Sequence, residues 1–255
     1  MNIYGIALLG TPGAGKTTFT TEIGNLFNYM KRKFKVVSLD PASLQEADFD
    51  IKSLINVSEV QQFHKIGPNA AVNFCLEFLE ANVEILQNFI LENEDCYFIF
   101  DIPGQVEAYV AHDSLKMIFQ KIGVNLGIVF VVDGTQCLSY SKFISLGLQM
   151  AAVVSSFPYP FVPILNKVDL LSPEDQHRIE NFFEYENDNQ IQRFAVRTMM
   201  DFSLMCSAYE IKDVAKVIQE IDSRIGFIRG TLREYQEIEK AEFDEIEAFL
   251  NGAYE

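Results

Sequence analysis

Short apolar runs alternate with longer stretches of helical periodicity along this chain. The runs are Tyr4–Leu9, Lys35–Leu39, Cys96–Phe100, Leu126–Val132, Phe161–Leu165 and the weaker Phe202–Cys206. All but the last are rich in β-branched or aromatic residues, and each is short enough to be a strand buried on both faces. Between them, Thr17–Lys31, Asn73–Leu91, Ser114–Ile122, Ser141–Ser155 and Ile211–Ile225 carry apolar residues at helical spacing. Strands alternating with helices predict βαβ units around a doubly wound, mostly parallel α/β sheet. Ligands of such sheets bind beyond the carboxyl ends of the strands, where Gly10, Asp40, Asp101, Asp133 and Asn166 fall. Glu46–Asn69 is expected to be an insertion or a mobile region. In Thr231–Glu255, Tyr235, Ile238, Phe243, Ile246, Phe249 and Leu250 fall near i, i+3, i+4 spacing among many carboxylates. That pattern predicts an acidic amphipathic helix, packed on the domain's own surface or offered to a partner.

Composition narrows the classes. With 255 residues, 49% hydrophobic and 22% charged, the chain suits one large globular domain or two small ones and can bury a full core. The formal charge of −16 repels phosphate backbones, so no direct nucleic-acid partner is expected. A nucleotide would need a locally organised pocket. Cys75, Cys96, Cys137 and Cys206 form no CxxC pair, which argues against a disulfide framework or a zinc site and for a reducing compartment. No secretory leader and no membrane segment are expected. The apolar stretch around Phe143–Leu165 is interrupted by Pro158, Pro160 and Pro163.

That pocket has a sequence signature. Gly10-Thr-Pro-Gly-Ala-Gly-Lys16-Thr17 fits G-x-x-x-x-G-K-[ST], after a strand and before a helix. Glycines let backbone N–H groups turn inward around phosphate oxygens, and the helix N-terminus adds its dipole. Gly13, Ala14, Gly15, Lys16, Thr17 and Thr18 are the expected phosphate contacts. Lys16 reaches the β- and γ-phosphates, and the Thr17 hydroxyl sits on Mg²⁺. Asn166-Lys167-Val168-Asp169 fits the guanine-reading N-K-x-D pattern. A carboxylate at Asp169 accepts from guanine N1–H and its 2-amino group, a donor pair that adenine lacks. An Asp built for those donors is left unpaired by ATP. The Lys167 stem should cover the base plane, and Asn166 should tie its loop to the phosphate loop. Ser207 and Ala208, after the last strand, are candidates to offer backbone N–H groups to the guanine carbonyl.

Asp101-Ile-Pro-Gly-Gln105 follows another strand. Its D-x-x-G pattern places Asp101 near Mg²⁺, the Gly104 N–H near the γ-phosphate and Gln105 beside the attacking water. Glu107 either polarises water through a chain or caps a helix. Asp40 ends the second strand beside the phosphate loop; it either holds a Mg²⁺-bound water or activates the nucleophile, or is a turn carboxylate. Asp133 ends a further strand and is expected to serve loop structure.

Gly67-Pro68-Asn69 alone is a turn sequence. Together with GTPGAGKTT, SLDPAS, GPNAAVNFCLEFLEAN, DIPGQVE, KFIS and NKVDLL, it makes Gly10 to about Gly226 resemble the GPN-loop GTPases. CLEFLEAN and HDSLKMIF look closest to the second of three eukaryotic paralogues. The resemblance implies a P-loop GTPase of the dimerising, SIMIBI-like type over residues 1–230, with a helical insertion around 42–95 and the acidic helix at 231–255. It implies Mg²⁺ as cofactor, GTP as substrate and GDP as product. It also implies a homodimer, or a heterodimer with a paralogue, in which Asn69 meets the partner's phosphates and no arginine finger is needed. Asp40, Gln105 and Glu107 match family positions around the catalytic water, with Lys16 stabilising charge. By the same resemblance the protein is cytoplasmic, shuttles to the nucleus and assists assembly or import of RNA polymerase II through its subunits or assembly factors. Two departures stand out: Ala70-Ala71 follows the G-P-N where Gly-Gly is common, and Ile102 replaces a frequent Cys. Two other readings stay open: a dimeric ATPase of targeting or metal-insertion type, and a scaffold that holds nucleotide without turnover.

Overall fold

A computed structural model describes residues 2–106, 110–183, 189–200 and 204–227. The strands are β1 (Tyr4–Gly10), β2 (Phe34–Ser38), β3 (Phe49–Asp50), β4 (Tyr97–Asp101), β5 (Asn125–Asp133), β6 (Phe161–Asn166) and β7 (Leu204–Met205). They form one sheet in the order β3-β2-β4-β1-β5-β6-β7, and every pairing in it is parallel. The helices are α1 (Lys16–Tyr29), α2 (Val57–His64), α3 (Pro68–Ala81), α4 (Val83–Glu92), α5 (Ser114–Lys121), α6 (Tyr140–Ser156), α7 (Pro173–Phe183), α8 (Gln190–Met200) and α9 (Ile211–Ile225).

Alternation along the strands sorts two cores. Ile6, Leu8, Ile99, Val129 and Ile164 face α1 and α9, packing on Phe19, Ile23, Val214 and Ile218. Ala7, Leu9, Phe98, Phe100, Phe130 and Leu165 face the opposite layer, packing with Leu76, Leu79, Leu86, Phe119 and Phe143. Neither face of the central strands meets water, hence their continuous apolar runs. Gly127 lies where β5 passes under α9: a Cβ there would come within 2.6 Å of Ile221 side-chain atoms.

The structure departs from expectation in several places. Asn73–Leu91 is two helices, not one. They divide at Asn82, whose side chain donates to the Phe78 carbonyl at 2.8 Å and whose φ of −118° leaves the helical region. A short amide that bonds to nearby backbone competes with the helical ladder. Glu46–Asn69 contains β3, a 3₁₀ turn at Ile51–Ser53 and α2, and β3 pairs with β2 at the sheet edge. A two-residue strand is too short to show a period. Helices α7 and α8 carried no expectation, since each buries few apolar residues. The last strand is shorter than Phe202–Cys206, and Phe202 lies outside the described residues. The acidic segment 231–255 also lies outside them. All four cysteines are free thiols. Among the described residues no helix is long and apolar enough to cross a membrane.

Candidate nucleotide site

Three glycines shape the loop between β1 and α1. Gly10 has φ +145°, and a Cβ there would lie 2.1 Å from the Val131 carbonyl oxygen of β5. Gly15 caps α1 at φ +95°, and a Cβ there would strike the Asn166 side chain at 2.6 Å. Gly13 also takes a positive φ, of 74°. Side chains are excluded from these positions by geometry, and the α1 N-terminus is left to face an anion; the Ala14 N–H, expected to meet phosphate, donates to the Thr11 carbonyl at 3.2 Å. No acidic residue occupies the first turn of α1 to satisfy its dipole. Thr17 stands exposed in that turn, with Thr18 half-buried beside it. Ala14 is buried.

Lys16 is buried, and its ammonium donates to the Gly10 and Thr11 carbonyls at 3.1 and 3.2 Å. Burial holds its pKa below the ordinary lysine value, while Asp101 and Asp40 pull the other way. Gly104 closes over it: a Cβ there would sit 3.1 Å from Lys16 Nζ. Asp101, at the end of β4, is buried, and burial pushes its carboxyl up to about 6, with the Asp40 charge adding to the rise and Lys16 opposing it. Asp40 Oδ1 accepts from the Ala42 N–H at 2.9 Å. The Leu39 N–H donates to the Asp101 carbonyl at 2.8 Å, which seats the Asp40 loop beside β4. Lys16, Asp40, Asp101 and Gly104 therefore lie together. Gln105 is half-buried next to Gly104; Glu107 lies outside the described residues.

The donor set fits Mg²⁺. Two neighbouring carboxylates and the exposed Thr17 hydroxyl offer hard oxygens, and a cation there would offset both the burial of the Asp101 carboxylate and its repulsion by Asp40. Among the described residues no group of three protein ligands could hold a metal alone.

The base-reading loop is laced into the phosphate loop. Asn166 is 2% exposed; its Nδ2 donates to the Ala14 carbonyl at 2.9 Å, and its Oδ1 accepts from the Ala208 N–H at 3.0 Å. Lys167 adopts φ +65° and donates to the Gly13 carbonyl at 2.6 Å and to Asp133 at 2.7 Å. Burial alone would raise the Asp133 carboxyl, yet hydrogen bonds from Lys167 and Thr135 hold it below its ordinary value. Asp133 thus serves loop structure by anchoring Lys167; the fold adds the identity of the partner. Asp169 is exposed in the 3₁₀ turn Val168–Leu170. The N–H groups of Ser207 and Ala208 differ from expectation. Ser207 donates to Asp213 at 3.2 Å and Ala208 to Asn166, so both brace the loop instead of standing open toward a guanine carbonyl. A buried N–H takes whichever acceptor the fold supplies.

Gly67-Pro68-Asn69 lies apart. Gly67 caps α3, Pro68 holds its first turn, and all three residues are exposed. Among the described residues no hydrogen bond links them to the phosphate loop.

Residues 8–229 match the model of a family described as "Conserved hypothetical ATP binding protein". The chain is 30% identical to GPN-loop GTPase 2 of Danio rerio, over 91% of this chain and 83% of that one. It is 29% identical to GPN-loop GTPase 3 of Dictyostelium discoideum, over 87% of this chain and 78% of the other. Among solved structures, an apo-form GTPase from Pyrococcus abyssi superposes with a TM-score of 0.70 at 24% identity, covering 86% of this chain and 97% of that one. That likeness shows the fold.

Proposed function

This chain belongs to the GPN-loop GTPase family, and from that premise we propose that it is a Mg²⁺-dependent GTP-binding and GTP-hydrolysing switch. One observation carries the choice of base: Asn166 and Lys167 are tied by hydrogen bonds to the phosphate loop, with Asp169 exposed in the adjoining turn. Phosphate and base sites are thereby one rigid unit. The Lys167 stem forms a wall for the ring, and Asp169 is the acceptor for guanine's two donors.

Hydrolysis proceeds by in-line attack of water on the γ-phosphate. When triphosphate enters, Lys16 exchanges its two loop carbonyls for phosphate oxygens and neutralises charge that grows in the transition state. The Gly104 N–H reads the γ-phosphate. Gln105, with Asp40, orients the water. Thr17 and Asp101 would hold Mg²⁺, which when bound would neutralise phosphate charge. Exposed Gly67-Pro68-Asn69 suits a second copy or a paralogue, with Asn69 completing the partner's phosphate site. On the strength of the family resemblance, the dimer is assigned to the cytoplasm, as an assembly or nuclear-import factor for RNA polymerase II.

A second reading, an ATPase, has the wording of the matching family model in its favour. Turnover of GTP against ATP with Mg²⁺, with sedimentation in the same buffers, separates the two. GTP-selective turnover by a dimer is expected, and Lys16→Ala is expected to abolish nucleotide retention. Preference for ATP, or tight GTP binding by Lys16→Ala, overturns the assignment.

A further inference from the structure

A short chain of hydrogen bonds runs from the carboxylates beside Lys16 toward the helical hairpin that carries Gly67-Pro68-Asn69. The Ser43 N–H donates to the Asp40 carbonyl at 3.1 Å, and the Ser43 hydroxyl stands 3.5 Å from Asp101 Oδ2. The Ser43 carbonyl accepts from Lys52 Nζ at 2.6 Å. Lys52 also pairs with Asp50 at 3.2 Å, and Asp50 in turn accepts from the Lys52 N–H at 2.9 Å. The neighbouring Leu44 is 98% exposed, so this stretch is held by hydrogen bonds rather than by burial. Lys52 sits in the 3₁₀ turn Ile51–Ser53, fixed by the fully buried Ile51. Asn56 follows and caps α2, accepting from the Ser58 and Glu59 N–H groups. Helix α2 packs on α3 through His64, whose ring lies 4.6 Å from that of Phe74, and Lys65 at φ +53° turns the chain into Gly67.

The two ends of this chain differ in strength. A 2.6 Å bond from an ammonium to a carbonyl, with the lysine side chain 35% exposed, is charge-assisted and partly shielded from water. The 3.5 Å contact at Asp101 is at the limit of hydrogen bonding. A change of charge on the nucleotide side would be expected to break the weak contact before the strong one.

We propose that Lys52 is a positioning residue: by holding the Ser43 carbonyl it couples the loop that touches Asp101 to the turn from which α2 and α3 spring, and so passes the γ-phosphate state to Gly67-Pro68-Asn69. The inference rests on the GTPase reading.

The test uses the full chain as wild type, Lys52→Met and Lys52→Arg. It combines GTP turnover with amide hydrogen exchange in GDP and in a non-hydrolysable GTP analogue. In the wild type, the analogue should slow exchange over residues 40–45 and 57–69 together. Lys52→Met should erase the change at 57–69 while keeping it at the phosphate loop. It should also lower kcat about tenfold, with KM within about twofold, the scale of one hydrogen bond to a charged group. Lys52→Arg should restore both readouts. A Met variant that retains the change at 57–69, or raises KM in step with the fall in kcat, or is not rescued by Arg, overturns the proposal. Should Lys52→Met not fold, wild-type exchange decides: a nucleotide response confined to 40–45 sinks it. Wild-type turnover of GTP with no Lys52 effect removes this inference alone. No GTP binding or turnover in the wild type removes the GTPase reading and this inference with it.

Discussion

Asp101 concentrates the conflict between folding and function. Its carboxyl is pushed up from 3.8 to about 6, by burial first and then by Asp40. Between those two values the folded chain holds a proton that the unfolded chain releases, so ionised Asp101 opposes folding above pH 6 and the cost fades as pH falls toward 4. Asp101→Asn should therefore stabilise the nucleotide-free protein at pH 7.5 by up to roughly 3 kcal/mol, and by almost nothing near pH 4. Urea unfolding at the two pH values checks this. A wild type more stable than the variant at pH 7.5 would mean that the attraction of Lys16 outweighs burial. The same substitution should weaken binding of Mg²⁺ and GTP. Of the candidate residues, Lys16, Asp101, Asn166 and Lys167 were legible because motif spacing encodes them. The partner of Asp133 and the role of Lys52 were not, because each acts on a residue distant in sequence: Asp133 on Lys167, Lys52 on a backbone carbonyl nine positions earlier.

At the scale of elements, one buried contact fastens α1 to α9 on one face of the sheet. Arg32, just beyond α1, pairs with Asp222 of α9 at 2.7 Å, with side-chain exposures of 5% and 1%. The Tyr97 hydroxyl of β4 donates to the same carboxylate at 2.8 Å, and the guanidinium lies 4.6 Å from the Phe27 ring and 4.7 Å from that of Phe227. Removing one partner of such a pair strands the other charge out of water. Asp222→Ala should cost about 3–5 kcal/mol, and Asp222→Asn less, since it keeps an acceptor. Chemical denaturation of both variants provides the comparison; equal losses would mean that packing, not charge, dominates there. Strands β1, β4, β5 and β6 could be read from the sequence because burial on both faces makes them almost continuously apolar, and β2, only partly buried, because Val36 and Val37 lie in a short run ending at Asp40. The break at Asn82 and the two-residue β3 could not. A single amide decides the first, and pairing with β2 decides the second.

For the whole molecule, a chain of formal charge −16 must hold further negative charge in its nucleotide site. Local dipoles and Lys16 must overcome that field, so bound nucleotide should be a large part of the protein's stability. With Mg²⁺ and GTP at a hundred times Kd, binding adds about 2.7 kcal/mol, and Tm should rise by roughly 5–10 °C. ATP at the same concentration should shift it little. A thermal scan with each nucleotide tests the base preference independently of turnover, and equal shifts would count against Asp169 as a guanine reader.

The sequence by itself determined the sheet's central strands, the phosphate loop and the D-x-x-G and N-K-x-D segments, and it singled out G-P-N, which the structure makes the start of α3 and not a free turn. Each of these rests on interactions local enough to leave a fixed spacing: a hydrophobic period, a glycine with positive φ, a side chain at the end of a strand. Only the tertiary structure decided the order of the strands and the bonding of Asn166 to both Ala14 and Ala208. It also decided that the Ser207 N–H is taken by Asp213, and that Lys52 reaches Ser43. Those contacts join groups whose separation along the chain carries no period, and their energies become available only when parallel strands have brought the loops to one edge of the sheet.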